Sequence, residues 1–384
     1  LPLPRGPRPA RGRPTPVSTY RVQLRPPSGD HPGFTFDDAA ETAHYLSRLG
    51  VTHLYCSPYL QATPGSAHGY DVVDPTRLNV ELGGEPGFAR MVAACRASGL
   101  GLVVDVVPNH VSVSEPESQN AAWWSVLEQG RTSPYAEWFD IDWDSPAGPG
   151  KVLVPVLGGP LADVLDELVV DGDRIRYHDH EVPIRPGSLV EGDVAATLAA
   201  QHYLLAHWKQ ATTDLNYRRF FDVTTLAGAR VEVASVFDAT QGLLVEQVRS
   251  GIVDGLRIDH PDGLADPQGY LSRLAEQTGQ SWVVVEKILE PGERLPDSWA
   301  CAGTTGYDVL HDILGLFVDP SGEMPLTEHW QQVTGTTATS PETVSESKRR
   351  VTTSLLCTAS HPRTARDGRP PRPAPTPEPS RPRA

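Results

Sequence analysis

Leu100-Gly-Leu-Val-Val-Asp105-Val-Val-Pro-Asn109-His110 is apolar almost throughout and then ends on side chains that hydrogen bond. A strand apolar on both faces belongs to a parallel sheet covered by helices. The residues before it fit that reading. Gly87 to Ser98 has helical spacing closed by Gly99, and Val51 to Ser57 reads as a strand. Further upstream, Ser18 to Leu24 alternates as a strand does, and Phe36 to Leu49 has helical periodicity with Asp37 and Asp38 in its first turn. Downstream, Gly255 to Asp259 and Trp282 to Glu286 repeat the strand pattern around the helical stretch Pro267 to Thr278. Repeated βα units in 384 residues predict an α/β fold, a (β/α)8 barrel of the TIM type.

The segment from about Ser112 to Thr225 breaks this rhythm and is rich in aromatics, among them Trp123, Trp124, Trp138 and Trp143. It reads as a subdomain inserted after the third strand. Loops leaving the carboxyl ends of barrel strands build the active site, so an insertion there is expected to wall a cleft. The tryptophans suit flat sugar faces and equally suit a small core, which is where large aromatics mostly go.

The chain carries 33 Lys and Arg against 48 Asp and Glu, a net charge of −15. The basic residues crowd the ends: residues 1–16 hold four arginines and no acid, and residues 361–384 hold six arginines against Asp367 and Glu378. The body between is therefore strongly acidic, which disfavours nucleic acid and anionic lipid as partners. No window reaches the run of roughly 20 apolar residues that a membrane span needs. Cys56, Cys95, Cys301 and Cys357 show no CxxC spacing, so neither a zinc site nor a disulfide framework is indicated. A soluble cytoplasmic protein is the expectation. No carboxylate-rich loop and no phosphate-binding glycine loop is visible, so neither metal nor cofactor is implied.

Candidate chemistry sits where three strands end: Asp105 to His110 closes the third, Arg257-Ile-Asp259-His260 the fourth, and Glu286-Lys287 the fifth. Carboxylates ending separate strands of one barrel converge on its mouth, and two such as Asp259 and Glu286 can stand about 5 Å apart, the spacing of double displacement at an anomeric carbon. Arg257 lies two residues before Asp259, on the same side of its strand, and can keep that carboxylate ionised. Each residue alone reads equally well as an ordinary polar strand end. Three in order on a βα repeat do not.

DVVPNH, GLRIDH and VVVEK resemble signature regions of the α-amylase clan, glycoside hydrolase family 13. More narrowly, STYRVQL, YCSPYLQATPGSAHGYDVVDP, NYRRFFDVTTLAG, GLRIDHPDGLADPQGY, VVVEKIL and GTTGYD resemble, in order, the clan's maltooligosyl trehalose synthase family, from about Ser18 to Leu356. The resemblance implies an isomerase that breaks the reducing-end α-1,4 link of a maltodextrin and rejoins the glucose through an α,α-1,1 link. It implies Asp259 as nucleophile, Glu286 as acid and then base, Arg257 as the partner of Asp259, and Tyr70 and His110 against the sugar, Tyr70 by stacking. Asp71 and Asn109 would hold loops in place. A clan hydrolase, another glucan transferase or a catalytically defective fragment remain alternatives, and a trehalose-releasing hydrolase is the implied pathway partner.

The chain departs from the clan pattern at its end. The clan sets a third carboxylate in a His-Asp pair ending the seventh strand, and no such strand follows here. His311-Asp312 lies instead in a stretch resembling the sixth βα connection. The barrel is thus expected to be incomplete at its C-terminal strands. From about Thr358 the chain becomes Arg/Pro-rich, the composition of a shifted reading frame or of a disordered tail. The expected division is 1–17 and 358–384 as unstructured tails, 18–111 and 226–357 as two parts of the barrel, and 112–225 as the inserted subdomain.

Overall fold

The computed structural model describes residues 15–29, 31–290 and 292–351. Six parallel strands form one sheet in strictly sequential order: β1 (Thr19–Val22), β2 (His53–Cys56), β3 (Gly101–Val106), β4 (Gly255–Ile258), β5 (Trp282–Val285) and β6 (Gly303–Thr304). Helices α1 (Phe36–Leu49), α2 (Gly84–Ala97), α3 (Ala234–Arg249) and α4 (Pro267–Thr278) connect them. This is the expected α/β architecture, a parallel half-barrel lacking its closing strands among the described residues.

Local chemistry sets the element ends. The Thr35 N–H and hydroxyl both donate to Asp38 at 2.7 Å, fastening the start of α1. Gly50 closes the same helix with φ +88°, a conformation glycine adopts without strain. All six residues of β3 are buried, the reason its sequence reads as a continuous apolar run. At the other end of the sheet, buried Asp254 accepts from the Leu102 N–H at 2.9 Å and from Arg96 at 2.8 Å, tying the entry of β4 to that of β3. The main core lies between sheet and helices, with Phe36, Tyr59 and Phe88 meeting ring to ring at 5.2–5.9 Å.

A second hydrophobic cluster is built by residues 111–227. Trp123 is its centre, buried edge-on between Phe139 (4.9 Å) and Tyr217 (5.2 Å). Trp138 and Trp143 pack against the same cluster, and the Arg174 guanidinium covers Trp124 at 5.4 Å. For Trp123 the core use has won over a sugar platform. This unit is stitched to the barrel where His110–Ser112 pairs antiparallel with Val223–Gly228.

Beyond β6, helices α5 (Tyr307–Gly315), α6 (Glu323–Thr334) and α7 (Ser340–Val351) carry no buried residue. Leu316 and Phe317 are 82% and 83% exposed. Among the described residues, β1 pairs with β2 alone and β6 with β5 alone, so both edges of the sheet are open. His311-Asp312 falls in the middle of α5 and therefore ends no strand.

Of the two ends expected to be unstructured, residues 1–14 and all of 358–384 lie outside the described residues, as do residues 352–357 of the expected second barrel part. Val17 is already fastened, its N–H donating to Thr52 Oγ1 at 3.1 Å.

Candidate active site

Register alone brings the charged strand ends together. Arg257 on β4 is the direct partner of Asp105 on β3, and the ladder runs on past both strands: the Asp259 N–H donates to Val106 O (2.8 Å) and the Glu286 N–H to Ile258 O (2.9 Å). Asp105, Arg257, Asp259 and Glu286 thus project from three adjacent strands at their carboxyl ends. Arg257 joins them. Its Nη1 donates to Asp105 Oδ1 at 2.6 Å and to Asp259 Oδ1 at 2.7 Å, and its Nη2 lies 3.0 Å from Glu286 Oε1. One guanidinium fork meeting three carboxylates fixes their relative positions more firmly than separate pairs would.

Burial and charge compete at each group. Burial opposes the Arg257 charge, but Asp105, Asp259 and Glu286 outweigh it and raise the guanidinium further above its ordinary range. Asp259 is pushed up to about 7, by burial first and then by the nearby Asp105 and Glu286 charges, against the pull of Arg257. Asp105 is fully buried and raised by that burial, while it accepts the Tyr70 hydroxyl at 2.6 Å and the Tyr55 hydroxyl at 2.9 Å. Arg21 donates in turn to the Tyr70 oxygen at 3.1 Å.

His110 is buried, and burial holds it down to about 4, so the ring is neutral near pH 7. Its Nε2 donates to Tyr70 O at 3.1 Å, which leaves Nδ1 as an acceptor with no partner among the described residues. Of the residues expected to hold loops, Asp71 accepts from the Ser66 hydroxyl, and Asn109 Oδ1 accepts from Arg218 at 2.8 Å.

Three features escaped the sequence reading. Asp105 is the common acceptor beneath Tyr55, Tyr70 and Arg257, and only the strand register reveals it. Phe220 and Phe221, within the block NYRRFFDVTTLAG, close on two histidines: Phe220 lies 4.5 Å from the His110 ring and 5.1 Å from that of His260, while Phe221 stacks on His260 at 5.0 Å. Two adjacent phenylalanines in an otherwise polar stretch were the available signal. His260 itself adopts a left-handed conformation (φ +43°) directly after Asp259, an uncommon geometry for a residue with a side chain, and its N–H points to Glu286 Oε2 at 3.4 Å. Beside it, Lys287 bridges Asp262 (3.2 Å) and Glu293 (2.9 Å), bracing the loops after β4 and β5.

The arrangement offers two carboxylates at neighbouring strand ends, one of them tuned near neutrality, beside a fixed cation and neutral imidazoles. That set can attack a carbon centre, donate a proton to a leaving oxygen and take one back.

Comparison with known proteins narrows the chemistry. A relative from Mycobacterium tuberculosis, named provisionally as a maltooligosyl trehalose synthase, is 51% identical over 312 residues, which make up 81% of this chain and 40% of the relative. The structure of maltooligosyltrehalose synthase from Arthrobacter ramosus superposes with a TM-score of 0.84 at 47% identity, covering 89% of this chain and 44% of that one. A further crystal structure of a maltooligosyl trehalose synthase gives 0.78 at 35% identity, covering 89% and 45%. The chain thus spans less than half the length of these relatives. The profile of the α-amylase catalytic domain matches residues 29–266, and the chain belongs to the α-amylase family.

Proposed function

We propose that the site serves maltooligosyl trehalose synthesis, an intramolecular transglucosylation on a maltodextrin, with Asp259 as nucleophile and Glu286 as acid and base. The observation that carries this reading is the Arg257 fork, which holds both carboxylates at adjacent strand ends. Glu286 protonates the oxygen of the reducing-end α-1,4 link while an Asp259 oxygen attacks C1 from the opposite face. The bond to the terminal glucose breaks and a β-glycosyl ester forms. Glu286, now ionised, takes the proton from the anomeric hydroxyl of the captive glucose, whose oxygen attacks C1 and releases Asp259. Two inversions restore the α configuration, and the product is α,α-1,1-linked.

Arg257 keeps Asp259 available as the anion despite its burial. Tyr70 and His110 face the sugar bound at the cleavage point, Tyr70 through its ring and neutral His110 through a ring nitrogen. The unit built by residues 112–225 walls the cleft and keeps water from the ester, since hydrolysis competes at the same intermediate. The scattered cysteines suit a reduced cytoplasm, where a trehalose-releasing hydrolase would take the product.

A second reading rests on the open sheet edges: this chain alone binds maltodextrin and turns it over poorly. The third carboxylate that the clan carries has no counterpart in His311-Asp312, and electrostatic stabilisation by one such group is worth about 3 to 4 kcal/mol, roughly two to three orders of magnitude in rate. Incubation with maltopentaose separates the readings. A non-reducing product abolished by Asp259→Asn supports the synthase, shorter reducing sugars indicate a hydrolase, and binding without conversion supports the second reading.

A further inference from the structure

Arg218 lies outside the carboxylate cluster, at the point where the inserted unit meets the barrel. Its guanidinium is largely buried, and the acceptors around it are oxygens from three separate pieces of chain. Nη1 donates to Asn109 Oδ1 at 2.8 Å and to Gly263 O at 3.3 Å, and Nη2 donates to Ala229 O at 2.7 Å. The Asp140 carboxylate stands 3.9 Å away. Asn109 immediately precedes His110, and Gly263 lies in the short turn begun by His260.

The backbone around Arg218 is equally constrained. Its N–H donates to Asp140 O at 3.0 Å, and its own carbonyl accepts the Gly228 N–H at 2.7 Å. Two glycines make the approach possible. A Cβ on Gly228 would lie 2.5 Å from the Arg218 guanidinium carbon, and one on Gly263 would lie 2.9 Å from the Asn109 amide. A side chain at either position would push apart the groups that now touch.

We infer that Arg218 is a positioning residue whose guanidinium clamps the loop after β3 to the loop after β4, and so sets where His110 and His260 stand about the candidate site. Arginine suits the task because its planar fork meets several oxygens at fixed angles, whereas a lysine ammonium is a single point charge. Phe220, two residues on, contacts both imidazoles. The clamp and the ring contacts therefore act on the same two histidines. The inference builds on the maltodextrin reading of the site, but the geometry of the clamp is independent of it.

The test compares the unaltered chain with Arg218→Ala and Arg218→Lys, reading the assigned imidazole NMR signals of His110 and His260 together with maltopentaose affinity by calorimetry. In Arg218→Ala both signals move, and His110 titrates at higher pH, because a cation that helps hold it neutral is gone. Arg218→Lys returns the titration towards that of the unaltered chain but leaves the signals displaced, since an ammonium places its three donors on one nitrogen whereas the three oxygens are met from both ends of the guanidinium fork. In both variants maltopentaose binds more weakly, on the order of tenfold. Unchanged signals in folded Arg218→Ala, or their full restoration by lysine, would overturn the clamp. Should both variants unfold, Gly263→Ala asks the same question with the guanidinium kept, and unmoved histidine signals there also refute it. If the unaltered chain does not bind maltopentaose, the carbohydrate reading falls while the histidine signals still judge the clamp.

Discussion

Asp105 and Arg257 are paired twice, as register neighbours on β3 and β4 and through their side chains at 2.6 Å. The backbone pairing places the salt bridge, so it needs little rearrangement when substrate arrives. Asp105→Ala leaves Arg257 short of one buried partner and strands the Tyr55 and Tyr70 hydroxyls. Breaking a buried pair in this way costs about 3 to 5 kcal/mol. Asp105→Asn keeps an acceptor and is expected to cost less. Urea unfolding of both variants checks the order.

Asp259 carries a stability signature with a definite sign. The unfolded carboxyl loses its proton near 3.9, whereas the folded one holds it to about 7. Between those values the native state binds the extra proton, so this group's contribution to stability falls as pH rises from 4 to 7. Asp259→Asn removes that loss. At pH 8 the variant is expected to be more stable than the unaltered chain, by on the order of 4 kcal/mol, with the advantage gone at pH 4. Melting temperatures across that range decide it, and equal curves would show that Arg257 cancels the effect of burial.

His110 acts in the opposite direction. It charges near 6.5 when unfolded but only near 4 when folded. The unfolded state therefore binds more protons between those values, and stability drains away as pH falls through them, by about 3 kcal/mol in full. His110→Gln is expected to flatten the stability profile between pH 6.5 and 4. An unchanged slope would mean that the acid loss arises elsewhere.

Trp123→Ala empties the centre of the second core, where a deletion of this size costs about 3 to 5 kcal/mol. Because His110–Ser112 pairs with the strand Val223–Gly228 that belongs to that unit, the damage reaches the site. Hydrogen exchange is expected to quicken across residues 112–225 and at His110 while β2 and β5 stay protected. Uniform quickening would make the two cores one cooperative unit.

Much of this was legible in the sequence because a parallel sheet writes itself in short apolar runs, and the polar residue ending each run marks the rim where the candidate site gathers. Asp259 and Glu286 could be picked out on those terms, and Arg257 from the two-residue repeat along a strand. Asp105 could not be assigned a partner, since a single strand says nothing of its lateral neighbours until register is fixed. The contacts of Phe220 and Phe221 with His260 join residues some forty positions apart, and the two rings sit in an insertion with no periodicity. Trp123 posed a different difficulty: an aromatic side chain has the same sequence signature in a core as in a sugar subsite.

The sequential order of the sheet also gives the site a history. As the chain emerges from the ribosome, each new βα unit meets an edge already formed by the one before it, and N-terminal elements settle first. Tyr55, Tyr70 and Asp105 come together before Arg257 exists, leaving a buried carboxyl held only by phenols. Arg257 then arrives with Asp259 in a single strand, bringing the cation and a second carboxylate at once. Glu286 comes last, with β5, so in a nascent chain the Arg257 fork waits for its third carboxylate, and the proposed pair is complete only when the fifth strand docks.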